Sequence, residues 1–472
     1  MKGEKRQIEL LAGPVLMLAL YLLLPKSIFP GASSRLAVGT VGWMAFWWVT
    51  GPVDYAVTGF IPIAVNALFQ LTDMTGLIAN YASETILLLL GASIIIVAWA
   101  QTGLDERIAA RFLGMVGSNY RAHLLFWFFL SLLLSTLLPN AVVCATVTPL
   151  AVAMLKYVGE GDIATSAKGS RLLLYISYAT GIGGLASPLG GAMNLVTVDY
   201  LQQLTGEEYY YIAWIVRFLP IMIVLTALSV LFMLRNVKKG ETLGRTKEYF
   251  ATLYQQMPPM SKAETASLAL FLIAVVLAFS RELYQNIFPG LKPAYVFITC
   301  ALITFVITDK GRPVMHWREI QGQIEWEMMF IFAGGLAAGD LMNGSGAVDA
   351  IAAAVANSGM KGGLLLVFVI LTFTLILSDV TSNTATAAVA MPIVISVVQG
   401  LGENPVPYIY ITSIGVNLSF MLPTSIRAIP VGYGLRPSEM LKEGWKISVA
   451  IVVVMTVMGY LLMEYWPLFS TV

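Results

Sequence analysis

Charged residues, histidine and cysteine are scarce in this chain. Only 12% of its 472 residues are Asp, Glu, Lys or Arg, whereas soluble chains usually contain about 25%. The two histidines are far apart, and Cys144 and Cys300 both lie in apolar segments. This usage indicates neither a disulfide framework nor a metal site. The sequence also has no nucleophile motif and no phosphate-binding loop. We therefore expect no enzyme, no metal, no cofactor and no nucleic-acid partner.

Long apolar runs make up much of the chain, and 58% of its residues are hydrophobic. Several runs, such as residues 8–25 and 445–467, are long enough to cross a hydrocarbon core of about 30 Å. The first run resembles a signal peptide, but it is long for one and ends at Pro25 rather than at a small-residue cleavage site. We therefore expect it to be retained as a helix. The composition predicts an all-α, multi-pass protein of the cell membrane.

The chain also contains an internal repeat with a constant spacing. Eight residues recur 243 positions later (383 − 140), with no gap between the two copies: Glu84, Gly91, Gly103, Ile108, Asn140, Pro149, Gly159 and Glu160 match Glu327, Gly334, Gly346, Ile351, Asn383, Pro392, Gly402 and Glu403. Each copy has a polar break within apolar surroundings. Such a pattern is typical of a secondary transporter built from two structural repeats.

The repeat divides the chain into four parts. We expect an N-terminal helix, a first repeat, a cytoplasmic linker and a second repeat, at residues 1–35, 36–234, 235–264 and 265–472. In each repeat two apolar arms flank a polar tip, and a helix interrupted by Gly or Pro follows. The arm pairs are at 121–157 and 362–400, and the broken helices are at 170–200 and 407–433.

Each arm pair is predicted to form a re-entrant hairpin that ends inside the membrane. The arms are about 17 residues long, and irregular backbone at that depth must line a cavity or be buried in protein. If the hairpins do not cross, about 11 spans remain. A cytoplasmic N-terminus then puts 21 of the 28 Lys and Arg residues inside and five outside, in agreement with the positive-inside rule. The count predicts an external C-terminus and, with five spans per half, two repeats of inverted topology.

The polar tips are the first candidate binding residues. The tips are Pro139-Asn140-Ala141 and Ser382-Asn383-Thr384, and each lies where a helical arm begins. Unpaired backbone N–H groups and the helix dipole attract anions there. The second tip adds two hydroxyls and an amide, which can bind a carboxylate or a small cation, whereas the first keeps only the amide. Simple capping of a helix break is the alternative explanation.

The broken helices provide the second set of candidates. Residues 181–194 contain several glycines around Ser187, Pro188 and Gly191, and residues 421–434 contain Thr424, Ser425 and Arg427 between two prolines. These residues make an uninterrupted helix unfavourable, and glycine-rich backbone permits close approach of a ligand. Kinks that only permit packing are the alternative.

Arg427 is the most informative single residue, because an arginine within an apolar span costs several kcal/mol unless it is paired or faces water. Its planar fork matches the geometry of a carboxylate. We expect Arg427 to contribute to anion binding and charge compensation. A structural ion pair with Asp379 is the alternative, and Asp379 itself could be that partner, a proton carrier or part of a cavity wall.

The tips and breaks resemble those of the divalent anion/sodium symporter (DASS) family, the INDY-type dicarboxylate transporters. That family has a Ser-Asn-Thr tripeptide at each hairpin tip and a Thr-Pro-Pro loop in each half. Residues 382–392, SNTATAAVAMP, and residues 420–423, FMLP, match the pattern. The first tip departs from it at Pro139 and Ala141, and the loops have Gly191-Ala192-Met193 and Ile426-Arg427-Ala428 in place of Thr-Pro-Pro.

The resemblance implies a homodimer whose transport domain moves as an elevator. It also implies sodium sites at the tips and loops, but the first has lost hydroxyls and the second has Arg427 in its loop. Since a fixed cation makes return of the empty site costly, we expect sodium-independent exchange of C4–C5 dicarboxylates such as malate, fumarate, succinate or 2-oxoglutarate, with sodium an unlikely partner.

Three alternatives stay open at this point. One is sodium- or proton-coupled symport of the same anions, in which Asp379 titrates or the second tip still holds sodium. Another is an inorganic-anion transporter or a cation/proton antiporter of similar architecture. A membrane enzyme or a structural membrane protein is the third, and it does not account for matched polar breaks.

Overall fold

A computed structural model describes residues 2–104, 107, 108, 118–235, 237, 238, 240–244, 256–309, 311–357 and 361–472 of the chain, with the side chains of 2–5, 355 and 356 not described. Part of the predicted linker at 235–264 lies outside these residues.

Helices account for nearly all of the described secondary structure. In chain order they are α1 Lys2–Leu23, α2 Ala32–Thr50, α3 Tyr55–Thr58, α4 Ile61–Phe69, α5 Met74–Ala79, α6 Glu84–Thr102, α7 Tyr120–Ser135, α8 Asn140–Tyr157, α9 Ala167–Gly184, α10 Ala192–Thr205, α11 Tyr211–Leu234, α12 Lys262–Phe279, α13 Arg281–Tyr284, α14 Pro293–Thr304, α15 Trp317–Ile320, α16 Trp326–Gly344, α17 Ala347–Ala356, α18 Leu364–Val380, α19 Asn383–Gly400, α20 Pro405–Asn417, α21 Ala428–Gly432 and α22 Pro437–Tyr465. Short 3₁₀ turns cover Asn80–Ala82, Pro188–Gly190, Gln321–Gln323, Ser425–Arg427 and Pro467–Ser470. One small antiparallel hairpin pairs β1 (Thr308–Asp309) with β2 (Arg312–Pro313). The predicted all-α class is confirmed.

The outer surface of the helices is apolar, as a lipid-facing surface requires. On α22, large side chains four residues apart lie in one exposed stripe: Leu441, Trp445, Val449, Val453, Val457 and Leu461. Within the described ranges, seven helices are long and apolar enough to cross a membrane, and four shorter apolar helices accompany them. The predicted multi-pass membrane protein is thus confirmed. Because both groups include arms of the hairpin segments, the count of 11 crossings stays a prediction.

Two helix pairs occupy the segments predicted as hairpins. Helices α7 and α8 are joined by residues 136–139, and α18 and α19 are joined by residues 381 and 382. Both α8 and α19 have 18 residues, and they begin at Asn140 and Asn383. The Ser382 hydroxyl caps α19 by accepting a hydrogen bond from the Ala385 amide (3.1 Å), whereas Pro139 makes no side-chain cap for α8. The two copies therefore keep the same helix start with different capping chemistry.

Both regions predicted as broken helices are interrupted in the structure. Helix α9 ends at Gly184, and the chain passes through the 3₁₀ turn Pro188–Gly190 before α10 begins at Ala192. Helix α20 ends at Asn417, and an irregular stretch leads to the 3₁₀ turn Ser425–Arg427. Proline and glycine account for the interruptions because they remove backbone donors or weaken helix propagation.

One apolar run is divided where the sequence suggested a continuous span. Residues 54–71 form α3 and α4, which are separated at Gly59 and Phe60. A Cβ atom on Gly59 would lie 2.3 Å from the Phe330 carbonyl oxygen, and one on Gly334 would lie 2.4 Å from the Gly59 Cα. Only glycine permits this approach of the α3–α4 turn to α16, and the hydropathy of the run does not reveal it.

Candidate functional site

Arg427 is buried in a polar cluster between the second tip and the second break. Its side chain is 1% exposed, and Nη2 donates to Asn383 Oδ1 (3.3 Å) and to Ser419 Oγ. Ser378 Oγ donates to the Val416 carbonyl (2.6 Å) and lies 3.0 Å from Asn383 Oδ1. The start of α19, the end of α18 and the break after α20 therefore converge on the guanidinium group.

Asp379 has different partners from Arg427. Its Oδ1 accepts hydrogen bonds from the amides of Met421 (2.8 Å) and Leu422 (3.4 Å), and its backbone carbonyl accepts one from Thr424 Oγ1 (3.0 Å). No carboxylate of the described chain lies within 4.0 Å of the Arg427 guanidinium group. The direct Arg427–Asp379 ion pair that the sequence left open is therefore not formed. Asp379 fixes the second break through backbone amides.

The first tip packs against the first break. A Cβ atom added to Gly184 would lie 3.2 Å from Asn140 Nδ2, and one added to Gly191 would lie 3.7 Å from the same nitrogen. Ser187 is buried, and its hydroxyl donates to the Thr136 carbonyl (2.5 Å) at the end of α7. The glycines let the Asn140 side chain approach the backbone of the break, and Ser187 joins that break to the hairpin segment.

Polar side chains also join the two breaks to each other. Asn417 Nδ2 donates to Asn194 Oδ1 (2.9 Å), and Asn194 Nδ2 donates to the carbonyls of Gly184 (2.6 Å) and Ser187 (2.8 Å). The Cys144 thiol on α8 donates to the Ile426 carbonyl (3.5 Å), beside Arg427. Both tips and both breaks thus belong to one contiguous assembly of α8, α9, α10, α19 and α20.

The other predicted residues differ in their surroundings. Ala141 lines a cavity of about 50 Å³ beside α6. Thr384 is 8% exposed. Ser425 is exposed and has φ of +51°, a left-handed conformation that is uncommon outside glycine and asparagine and often marks a functional position. Ser382 and Thr384 flank Asn383 at the start of α19, whereas Ala141 lies in the first turn of α8.

Three buried nitrogen donors in this assembly have no hydrogen-bond acceptor among the residues described. They are Asn140 Nδ2, Asn383 Nδ2 and Arg427 Nε. A buried donor without an acceptor costs about 1–3 kcal/mol, so native structures rarely retain such groups without a reason. Donors of this kind, one of them cationic, suit a ligand that supplies oxygen acceptors and negative charge.

Sequence reasoning missed several polar residues of the assembly. Asn417 and Ser419 are single polar residues between apolar ones, and Ser378 precedes Asp379 at the end of an apolar arm, but no motif marks any of the three. Only the packing of α18 and α20 around Arg427 reveals their role. Asn194 directly follows Gly191-Ala192-Met193, and nothing in the sequence gives it a role. Burying an Asn or Ser side chain without a hydrogen-bond partner is costly. An isolated Asn or Ser within an apolar run therefore indicates a buried polar partner, and this signal could have found them.

A polar cavity of about 540 Å³ lies apart from the tips, at the ends of α6, α10 and α14. Asp199 Oδ1 accepts a hydrogen bond from Thr85 Oγ1 (3.0 Å) in its wall. At its rim the Lys292 ammonium donates to both Glu84 carboxylate oxygens (2.9 and 3.1 Å), and this hydrogen bonding raises the pKa of Lys292. In the described part of the chain no three His, Cys, Asp or Glu residues are grouped as metal ligands.

Comparison with known proteins gives a family match over most of the chain. The model of the citrate transporter family (CitMHS) matches residues 45–415. Among curated proteins, the chain is 26% identical over 474 residues to a sodium-dependent dicarboxylate transporter of Staphylococcus saprophyticus, covering 96% of this chain and 91% of that protein. It is 25% identical over 480 residues to a transporter of the same name from Staphylococcus aureus, covering 97% and 91%. The resemblance to dicarboxylate transporters is confirmed.

Two solved structures share the fold. The Alcanivorax borkumensis YdaH transporter has a TM-score of 0.55 and 13% identity, with 84% of this chain and 91% of that chain covered. Neisseria gonorrhoeae MtrF has a TM-score of 0.53 and 12% identity, with 94% and 96% covered. The matched family and the curated relatives are transporters, which confirms that this membrane protein is a transporter and not an enzyme.

Proposed function

Because the chain belongs to the citrate transporter family, we propose that it exchanges C4–C5 dicarboxylates across the cell membrane without sodium. Malate, fumarate, succinate and 2-oxoglutarate are the expected substrates. One observation carries the proposal: Arg427 is 1% exposed and has neutral hydrogen-bond partners, Asn383 and Ser419, rather than a carboxylate. A buried cation of this kind in a transporter calls for an anion.

The surroundings of Arg427 suit a carboxylate. Its Nε and the amide nitrogen of Asn383 are both buried without an acceptor in the described chain. Together with the first amides of α19 they offer charge-assisted hydrogen bonds to carboxylate oxygens. Asn140, at the start of α8, offers the corresponding amide from the first tip. We propose that these groups, with Ser382, Thr384, Thr424, Ser425 and the backbone at Gly191, bind the dicarboxylate, while Ser187 and Ala141 contribute through the local backbone.

The preference for exchange follows from the fixed charge. A dianion bound beside Arg427 has half of its charge compensated, whereas an empty site carries an uncompensated guanidinium group through the apolar interior. That return step is costly, and return with a second dianion is cheaper. The similar Staphylococcus proteins are named sodium-dependent. We nevertheless favour sodium independence here, because Pro139 and Ala141 occupy the first tip and Arg427 occupies the second loop.

The movement that accompanies exchange is also part of the proposal. We propose that the two repeats, 36–234 and 265–472, have inverted topology around the joined tips and breaks. The assembly linked by Asn194 and Asn417 would then move as one elevator-like transport domain. A homodimer, a cytoplasmic N-terminus and an external C-terminus complete this arrangement. Light scattering of the purified protein tests the dimer, and accessibility of a terminal tag in intact cells tests the orientation.

Uptake into proteoliposomes tests the function directly. Radiolabelled succinate or 2-oxoglutarate is offered to vesicles that are empty or preloaded with succinate, with sodium or choline outside. We expect uptake only into preloaded vesicles, at the same rate with either cation. Sodium-stimulated uptake into empty vesicles would contradict the exchange proposal.

A coupled symporter of the same anions is the second candidate. Asp379 Oδ2 is buried without a hydrogen-bond donor among the described residues, which favours a carboxyl group that takes up a proton with the substrate. Uptake into empty vesicles that is driven by external acid and is lost in Asp379→Asn would support this candidate over exchange.

A further inference from the structure

A separate cavity of about 620 Å³ lies between the beginning of α9 and the beginning of α22, and no tip residue lines it. Its volume is within the usual range of small-molecule sites, about 300–1,000 Å³. Loop residues 164–166 form one side. A Cβ atom added to Gly434, before α22, would lie 3.4 Å from the Ile163 Cβ and 3.9 Å from the Ala164 amide nitrogen. Leu174 and Tyr175 form an apolar part of the wall. The cavity is therefore distinct from the assembly around Arg427.

The charges in this cavity are predominantly positive. Four basic side chains and two carboxylates line it: Arg171, Arg436, Lys442, Lys446, Glu439 and Glu443. The two lysines pair with the two glutamates along α22, at 3.5 and 3.1 Å. Arg171 and Arg436 make no ion pair within 4.0 Å to any residue that the structure describes. Two guanidinium groups are thus left to bind an anion.

The start of α9 adds to this preference. Ala167 begins an 18-residue helix, and Ser166 and Ala167 both line the cavity. The Ser166 hydroxyl accepts a hydrogen bond from the Gly169 amide (2.9 Å) and donates one to the Glu160 carboxylate (2.6 Å). The amides of Ala167 and Lys168, in the same first turn, have no intrahelical acceptor. The positive end of the helix dipole therefore points towards the same cavity as Arg171 and Arg436.

A lipid-facing surface begins directly beside the basic groups. Trp445 is 51% exposed and precedes Lys446, and Leu441 precedes Lys442. Continuing along α22, Val449 is 55% exposed on the same face as Trp445. Tryptophan at such a position is typical of the boundary between headgroups and acyl chains. An anion that reaches this cavity with an apolar tail attached would place the tail along α22.

We propose that this cavity binds the phosphate-bearing headgroup of an anionic membrane lipid. Arg171, Arg436 and the first amides of α9 contact the phosphate, and the acyl chains lie along Leu441, Trp445 and Val449. Basic cavities between membrane helices bind headgroups of this type. A free phosphate shares the chemistry of the headgroup but gains nothing from the adjoining apolar face.

Native mass spectrometry of the full chain in detergent tests the proposal. Phosphatidylglycerol and phosphatidylcholine with identical acyl chains are titrated in parallel, and glycerol 1-phosphate serves as the soluble headgroup. We expect phosphatidylglycerol to be retained preferentially, and Arg171→Gln/Arg436→Gln to weaken its retention by about 30-fold, the effect of removing two charges at an anionic membrane surface. Arg312→Gln/Arg318→Gln removes two exposed arginines that do not line the cavity, and this matched control should keep the preference.

Several results would overturn the assignment. Undiminished retention of phosphatidylglycerol by the double variant would do so, as would equal retention of both lipids by the wild-type protein. Binding of glycerol 1-phosphate as tight as that of the lipid would assign the cavity to a soluble anion instead. If the double variant lost succinate uptake but retained the lipid as the wild-type protein does, the cavity would be assigned to the transported anion. If the double variant does not fold, Arg436→Gln alone, at an exposed position, should still weaken retention.

Discussion

Replacing Arg427 with glutamine separates a binding role from a structural one. The guanidinium group is 1% exposed, and its described partners, Asn383 and Ser419, are both neutral. A hydrogen bond to a charged group contributes about 1.5–3 kcal/mol, so loss of the guanidinium–carboxylate contact should raise the KM for succinate about 10- to 150-fold. The fold should lose less than the 3–5 kcal/mol that breaking a buried ion pair costs, because no carboxylate of the described residues lies within 4.0 Å of the guanidinium group.

The assay is the concentration dependence of succinate exchange in preloaded vesicles, combined with thermal unfolding of the substrate-free protein. Arg217→Gln is the matched control, because Arg217 is 4% exposed and donates to the Leu468 (2.7 Å) and Ala213 (3.0 Å) carbonyls, away from the tips. This control should lower the unfolding midpoint and leave KM unchanged. The reasoning is refuted if Arg427→Gln behaves in the same way as Arg217→Gln.

Three further predictions concern the second tip, a close helix contact and a left-handed turn. Asn383→Ala removes an oxygen that accepts hydrogen bonds from Ser419 Oγ and Arg427 Nη2, so the KM for succinate should rise about tenfold; an unchanged KM would remove Asn383 from the site. Gly334→Ala places a Cβ 2.4 Å from the Gly59 Cα and should destabilise the protein by about 1–3 kcal/mol in denaturant unfolding, whereas Gly322→Ala, with open space around its Cβ, should not. Ser425→Gly relieves a φ of +51° and should raise stability by about 1 kcal/mol; a lower unfolding midpoint would speak against strain at this turn.

The sequence predicted the elements of the site better than their contacts. The tip residues Asn140 and Asn383 and the two broken helices are visible as polar or glycine-rich stretches within apolar runs, because such stretches disfavour continuous helix. In the structure, helices do begin at both asparagines, and the chain is irregular at both breaks. Local sequence was sufficient here because helix breaking is a local property.

The partners of Arg427 could not be predicted in the same way. Asp379 was the obvious candidate by charge, yet its Oδ1 binds the amides of Met421 and Leu422. Ser419 and Asn383 contact the guanidinium group instead. Which oxygen approaches a buried cation depends on how α18, α19 and the break after α20 pack together, and neither periodicity nor composition contains that information.

The two cysteines give the unmodified protein a useful property for labelling. Cys144 and Cys300 are 0% and 5% exposed, so a maleimide should react far faster with a cysteine introduced at an exposed position than with either native thiol. Cys144 also donates to the Ile426 carbonyl (3.5 Å), within the turn that carries Arg427. A reagent can reach this fully buried thiol only when its surroundings, this turn among them, open. The alkylation rate of Cys144 therefore measures how often this part of the protein opens, without a fluorophore or an engineered residue.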